Sequence, residues 1–165
     1  MAVARVKEYL KNVGWNGEIL EFAESSATVE LAAEKVGTSP KRIAKTLGFY
    51  DPADPSRAIL VVAAGDAKVN GGMFKRTFGG KPRMLKPEDV EPLTGYPVGG
   101  VCPFANVESA RVFLDESLKR FESVYPAAGT ANSAVQIMLT ELELLSGSEG
   151  WVDVATAWRE EVQPV

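Results

Sequence analysis

Residues 43–66 read IAKTLGFYDPADPSRAILVVAAGD. The run 58–64, AILVVAA, is continuously apolar and is bounded by turn signals. That pattern predicts a buried strand. Residues 51–56, DPADPS, form a turn cluster ahead of it. Residues 43–50, IAKTLGFY, read as extended on the other side of that turn.

Upstream, Val3, Val6, Leu10 and Val13 repeat at helical spacing and Gly14 follows, which predicts a helix over 2–13. Residues 18–22 read as a short strand. Thr28 can cap a helix that Gly37 ends. Ser39 and Pro40 fit the cap and first position of a short third helix. Downstream, helices are expected over 70–78 and from Pro87. Short strands are expected at 81–85, 111–114, 122–125, 134–139 and 151–154. Thr140 and Glu143 have the spacing of a capping box before ELELLSG.

Strands outnumber the helices that could act as crossovers, and no glycine-rich turn follows the first strand. GxxxxGK[ST] is absent. The pattern therefore argues against Rossmann and P-loop folds. The expected class is α+β, a mixed, barrel-like sheet surrounded by helices in one domain over 1–165.

The chain of 165 residues contains no histidine. Ser-His-Asp and Cys-His catalysis are excluded, as are zinc sites on HExxH or Cys/His ligands. With a single cysteine, Cys102, no internal disulfide framework exists. No apolar run approaches the roughly 20 residues of a membrane span, and the amphipathic start is unlike a signal peptide. The cytoplasm is the expected compartment. The net charge of −4 is unlike that of a generally basic nucleic-acid binder.

Lys45 shares a strand face with Ile43 and Leu47, if the chain is extended there. Such a lysine can hold an anionic or ester substrate in a pocket. It can equally cover apolar surface with its stem while its amine stays wet. The stretch 95–104, GYPVGGVCPF, allows a turn that presents backbone N–H groups to an oxyanion, or a plain tight turn. Cys102 lacks a neighbouring cation or histidine, and fits a small packing residue. Lys68, Lys75, Arg76, Lys81, Arg83 and Lys86 form a basic stretch with no acid between 67 and 87. It fits a nucleic-acid backbone footprint, or a solvated face balanced by Glu141, Glu143 and Glu149. Asp66 and Asp115 end apolar strands, a place shared by cleft acids and routine caps. Asn132 and Ser133 could donate to a ligand or shape a hairpin turn.

In order, SSATVELAAEKVG, RIAKTLGF, AILVVAAGDAKVN, GYPVGGVCPF, VFLD and YPAAGTANSA resemble the YbaK/EbsC/ProX family over roughly residues 18–155. These are stand-alone relatives of the editing domain inserted in bacterial prolyl-tRNA synthetases. The resemblance implies trans-acting hydrolysis of the ester in mischarged aminoacyl-tRNA, with no cofactor and no metal. It implies tRNA(Pro) carrying a small wrong amino acid, such as alanine or cysteine, as substrate.

Lys45 matches the family's catalytic lysine. Gly99, Gly100, Val101, Cys102 and Pro103 match its glycine-proline substrate loop. Asp115 matches the acid that ends the next strand. Ala128 and Gly129 fall in the pocket-lining small-residue segment, and Asn132 lies just after it. Lys68, Lys75, Arg76, Lys81 and Arg83 would meet the acceptor end. A synthetase or an elongation factor could deliver the tRNA. Several relatives carry serine or histidine at 127–129; this chain has Ala-Ala-Gly. A domain that binds an aminoacyl end, a nucleotide or a small ligand without turnover is the alternative reading.

Overall fold

The strand expected at 58–64 becomes the spine of the molecule, because its seven apolar residues are removed from water on both faces. In the computed structural model, residues 2–23 and 28–158 are described. The chain runs α1 (Ala2–Asn12), β1 (Ile19–Glu21), α2 (Val29–Val36), a 3-10 turn (Pro40–Arg42), β2 (Ile43–Asp51) and β3 (Asp54–Ala64). Next come β4 (Lys68–Val69), α3 (Gly71–Phe78), α4 (Pro87–Thr94), β5 (Ala110–Asp115) and a second 3-10 turn (Glu116–Arg120). The last elements are β6 (Ser123–Pro126), β7 (Ser133–Val135), β8 (Ile137–Met138), α5 (Leu139–Leu145), β9 (Trp151–Val152) and β10 (Ala155–Thr156).

The main sheet has the order β8-β6-β2-β3-β5-β9, and β1-β7 and β4-β10 form two-stranded ribbons beside it. β2 pairs antiparallel with β3 and parallel with β6, while β3 pairs parallel with β5. This is the expected mixed, barrel-like α+β class. Each Val, Leu or Ile buried in β3 contributes roughly 1.5–3 kcal/mol, so this strand fixes the centre of the sheet.

Odd-numbered positions of β2, β3 and β5 share one face, since Leu47 and Phe113 both lie opposite Val61. α3 covers that face through stacked rings: Phe49 to Phe74 at 4.9 Å, Phe74 to Phe78 at 4.7 Å, and Phe78 to Phe113 at 5.0 Å. On the other face, Leu85 packs over Gly48, where an added Cβ would stand 3.0 Å from its Cδ1.

Several boundaries differ from those the sequence predicts. The 51–56 turn shrinks to a two-residue connection, because β3 already begins at Asp54. Segment 81–85 forms no strand; Met84 makes an isolated bridge to Phe49. The 134–139 run is split, with β7 pairing β1 and β8 pairing β6. α5 starts at Leu139, and Glu141 rather than Glu143 reaches back, accepting from Met138 N at 3.3 Å. Ser39 makes no side-chain cap bond, whereas Thr28 accepts from Leu31 N at 3.1 Å as expected. No described helix is long and apolar enough to cross a membrane.

Candidate active site

A cavity of about 380 Å³ opens beside β2. Its walls come from α2 (Val29, Ala32), β2 (43–48), the entry to α4 (Met84 to Val90), the glycine loop (Val98, Gly99, Val101) and the β6–β7 connection (Tyr125, Ala127, Ser133, Ala134). Most of these side chains are apolar, so a charged group on the wall stands out.

Lys45 is that group. β2 carries it opposite Ala63, and its stem turns toward the end of β3. There Nζ donates to Gly65 O at 3.4 Å and to Ala67 O. An ammonium has three donors, so one remains for a ligand. Burial lowers the Lys45 pKa from the usual lysine value, and Lys68 adds to this, while Asp66 and Glu30 oppose it. The 65–67 turn that receives the ammonium is itself anchored. Arg120 grips Asp66 at 2.9 and 2.6 Å. Burial alone would raise the Asp66 carboxyl, but these bonds and the Arg120 charge hold it below its ordinary value. Gly65 is required there, because a Cβ would lie 2.0 Å from Pro40 O.

The glycine loop is braced from below. Gly99 has φ +85°, and Gly100 N donates to Pro97 O at 2.9 Å. This is a tight turn with glycine at its left-handed position. A Cβ on Gly100 would sit 2.5 Å from Gly129 O, so the two glycine segments touch main chain to main chain. Beneath them Tyr96, Cys102 and Phe104 are fully buried. Tyr96 OH donates to Phe104 O, and Asn106 Nδ2 donates to Cys102 O at 2.9 Å. Arg5 lies 4.2 Å from the Tyr96 ring centroid.

The structure brings Lys45, Gly99, Val101 and Ala127 to the lining of one cavity. It does not bring the other expected residues there. Cys102 points into the core, and burial pushes its thiol up to about 11. A thiol so protonated at neutral pH is no nucleophile. Pro103 and Ala128 are buried behind the wall. Gly100 and Gly129 shape the wall through their mutual contact, and Gly100's N–H is committed to Pro97.

Asp115 is fully buried, and its carboxylate accepts from Ser117 N and Val154 N, both at 2.9 Å. It caps a 3-10 turn and ties in the C-terminal strands, so the strand-end acid is structural. Asp115→Asn turns one acceptor into a donor facing a buried N–H. The expected loss is about 2 kcal/mol, seen as a lower urea midpoint with an unchanged slope.

Asn132 Nδ2 donates to Phe22 O at 2.7 Å, and its Oδ1 accepts from Thr130 Oγ1 at 2.9 Å. Its neighbour Ser133 lines the cavity instead, with its hydroxyl bonded to Thr130 at 2.8 Å. The contributions of α2 and α4 were not visible in the sequence, because nothing local marks a helix side as a cavity wall.

Lys68, Lys75, Arg76, Lys81 and Arg83 are all exposed. Arg83 lies over the Tyr50 ring at 5.0 Å, and the chain passes directly from it to Met84 and Leu85 on the cavity rim. The three acids considered as balance are engaged elsewhere. Glu149 pairs with Arg111 at 2.9 Å, Glu143 accepts from Trp151 at 2.8 Å, and Glu141 caps α5.

A mixed α+β sheet whose cavity joins a half-buried lysine to a glycine-built wall is consistent with an aminoacyl-tRNA editing domain. The model of that family matches residues 23–145, and the chain belongs to it. YwhH of Bacillus subtilis (strain 168) is 49% identical over 146 residues, covering 87% of this chain and 92% of that protein. EbsC of Enterococcus faecalis, a candidate Cys-tRNA(Pro)/Cys-tRNA(Cys) deacylase, is 28% identical over 133 residues, or 79% of each chain. The crystal structure of a candidate trans-editing enzyme for prolyl tRNA synthetase superposes with a TM-score of 0.83 at 29% identity, covering 94% of this chain and 97% of that one.

Proposed function

We propose that this protein is a trans-acting aminoacyl-tRNA deacylase, one editing domain over 1–165 working in the cytoplasm. Its substrate is tRNA(Pro) mischarged with a small amino acid, alanine or cysteine. The observation that carries the reading is that Lys45 and the 99–101 loop share one apolar cavity. An apolar chamber receives a small side chain, a cation attracts developing negative charge, and main-chain N–H groups receive an oxyanion.

Water attacks the ester carbonyl carbon. The carbonyl electrons move onto oxygen and are held by the loop and by the third Lys45 donor. They return as the C–O bond to the ribose breaks, and the ribose oxygen takes up the proton that the attacking water gives up. Aminoacyl esters are labile, so positioning and electrostatics suffice without histidine. The exposed cations from Lys68 to Arg83 approach the acceptor-end phosphates, while a synthetase or an elongation factor delivers the tRNA. Volume alone sorts neighbours in size by only about 1–3 kcal/mol per methylene.

The test is a panel of tRNAs charged with alanine, cysteine, serine and proline. Alanyl- or cysteinyl-tRNA(Pro) should be cleared at least about tenfold faster than prolyl-tRNA(Pro), a ratio within one methylene's discrimination. Measurable tRNA binding with no ester loss across the panel would replace the deacylase with a binding module.

A further inference from the structure

The outer edge of β2 is paired at both ends and open between them. At its start, Ile43 and Ala44 pair with Tyr125 and Pro126 of β6. At its end, Leu85 N donates to Gly48 O at 3.0 Å and Tyr50 N donates to Arg83 O at 2.9 Å. The N–H and C=O of one strand residue point to the same side, and the side alternates along the chain. Even-numbered residues of β2 therefore turn their main chain away from β3, and Thr46 is the one in the middle.

The antiparallel register through Phe49 and Met84 would set Pro87 opposite Thr46. Proline has no N–H, and at Pro87 the chain turns into α4. On the other flank β6 ends at Pro126. Among the described residues, the Thr46 N–H and C=O have no main-chain partner on this side. The Thr46 hydroxyl is likewise buried without a partner among them. Thr46, Ala127, Leu85 and Pro87 all line the cavity. A strand-edge gap thus opens into the proposed reaction chamber, where unmet polar groups are costly.

An aminoacyl ester carries a donor ammonium and an acceptor carbonyl on either side of one α-carbon, which is the pattern of a single strand residue. We propose that Thr46 pairs through its main chain with the aminoacyl group of the substrate: its C=O receives the α-ammonium and its N–H donates to the ester carbonyl oxygen. This completes one antiparallel rung in the gap and rests on the deacylase reading above. It gives the carbonyl oxygen a donor from the strand as well as from the loop. It also reads every amino acid alike, leaving size selection to the apolar walls.

Two measurements test it. The first compares the ester that the enzyme hydrolyses fastest with its des-amino analogue on the same tRNA, each rate divided by that ester's uncatalysed hydrolysis. Loss of a charge-assisted bond should lower the normalised kcat/KM about 10- to 100-fold. The second replaces residue 46 by the α-hydroxy analogue of threonine, which keeps the side chain and deletes the outward N–H, while weakening the Lys45 carbonyl as an acceptor on the β3 side. Deleting an oxyanion donor should lower kcat about 100-fold while leaving the circular dichroism spectrum unchanged. Equal normalised rates for the two esters, or an unchanged kcat in the N–H deletion, overturn the Thr46 assignment while the deacylase stands. Absence of hydrolysis of any ester by the wild type overturns both.

Discussion

Lys45→Ala is expected to lower deacylation about 10²- to 10³-fold, the effect of removing one pre-positioned electrostatic donor from a water-poor site. The ammonium is held by two carbonyls of the 65–67 turn, so the cation stands in place before substrate arrives. The same substitution should leave the fold intact. The Lys45 pKa is lowered, chiefly by burial, so the folded state disfavours the ammonium. Between the lowered value and the ordinary 10.5, the unfolded chain binds a proton that the folded chain has released, and the lysine's contribution to stability rises with pH. Below that window the penalty is fully present, and deleting the amine relieves it. Thermal unfolding near neutral pH should therefore shift little while the rate collapses. If the protonated amine is the working form, activity corrected for spontaneous hydrolysis must fall as pH rises through the lowered pKa, below 10.5. Lys45→Arg retains its proton across that range, so any residual activity it keeps should lack this alkaline fall. A rate for Lys45→Ala equal to the wild type would remove the lysine from the mechanism.

The fold was legible where local chemistry agreed with long-range demand. The run 58–64 is apolar at every position and bounded by turn signals, and a central strand accommodates that. Thr28 and Gly37 bracket α2 because capping is a local bargain between one side chain and one turn. Failures came where distant partners decide. The 134–139 run is uniform in sequence, yet serves two sheets, since β1 claims one half and β6 the other. Thr140 and Glu143 have the capping spacing, but Leu139 hydrogen-bonds back to Glu122 O at 2.8 Å and starts the helix earlier.

The candidate site divides in the same way. Alternation along β2 put Lys45 on a face with Ile43 and Leu47 but left a wet-ended surface lysine open, and the family resemblance singled it out. Asp115 could be a cleft acid or a cap, and in the fold it is buried and accepts from Ser117 N and Val154 N, as a cap does. Asn132 and Ser133 are adjacent and both polar. β7 begins at Ser133, so a one-residue step turns one toward Phe22 and the other toward the cavity. No sequence pattern marks the open edge at Thr46, because that gap arises only when β6 stops and Pro87 turns the other flank away.

Gly100→Ala is expected to damage stability and activity together. The glycine does not supply a left-handed backbone here; Gly99 does that, with φ +85°. What Gly100 supplies is close approach. An added Cβ would meet Gly129 O at 2.5 Å, Gly129 C at 2.8 Å and Thr130 Cα at 2.9 Å, all main-chain atoms. No side chain can rotate away, so one glycine segment must move off the other. Overpacking of this kind costs roughly 1–3 kcal/mol, which in a chain of this length lowers Tm by roughly 2–4 °C per kcal/mol. Movement is hard to accommodate on the far side of the loop, where Cys102 and Phe104 are fully buried. The loop would shift into the cavity or the Gly129 turn would retreat, and either displaces the N–H groups of Gly99 and Val101. A 1 Å misplacement of a positioning group can cost about 100-fold in rate. The loss should therefore appear in kcat per folded molecule and not only in the fraction folded. Gly129→Ala forces a side chain onto φ +102° in the segment that Gly100 touches. That left-handed strain should lower stability by roughly 1–3 kcal/mol. If Gly100→Ala kept the wild-type kcat with only a lowered Tm, the glycine contact would serve packing alone, and the loop would lose its place in the chemistry.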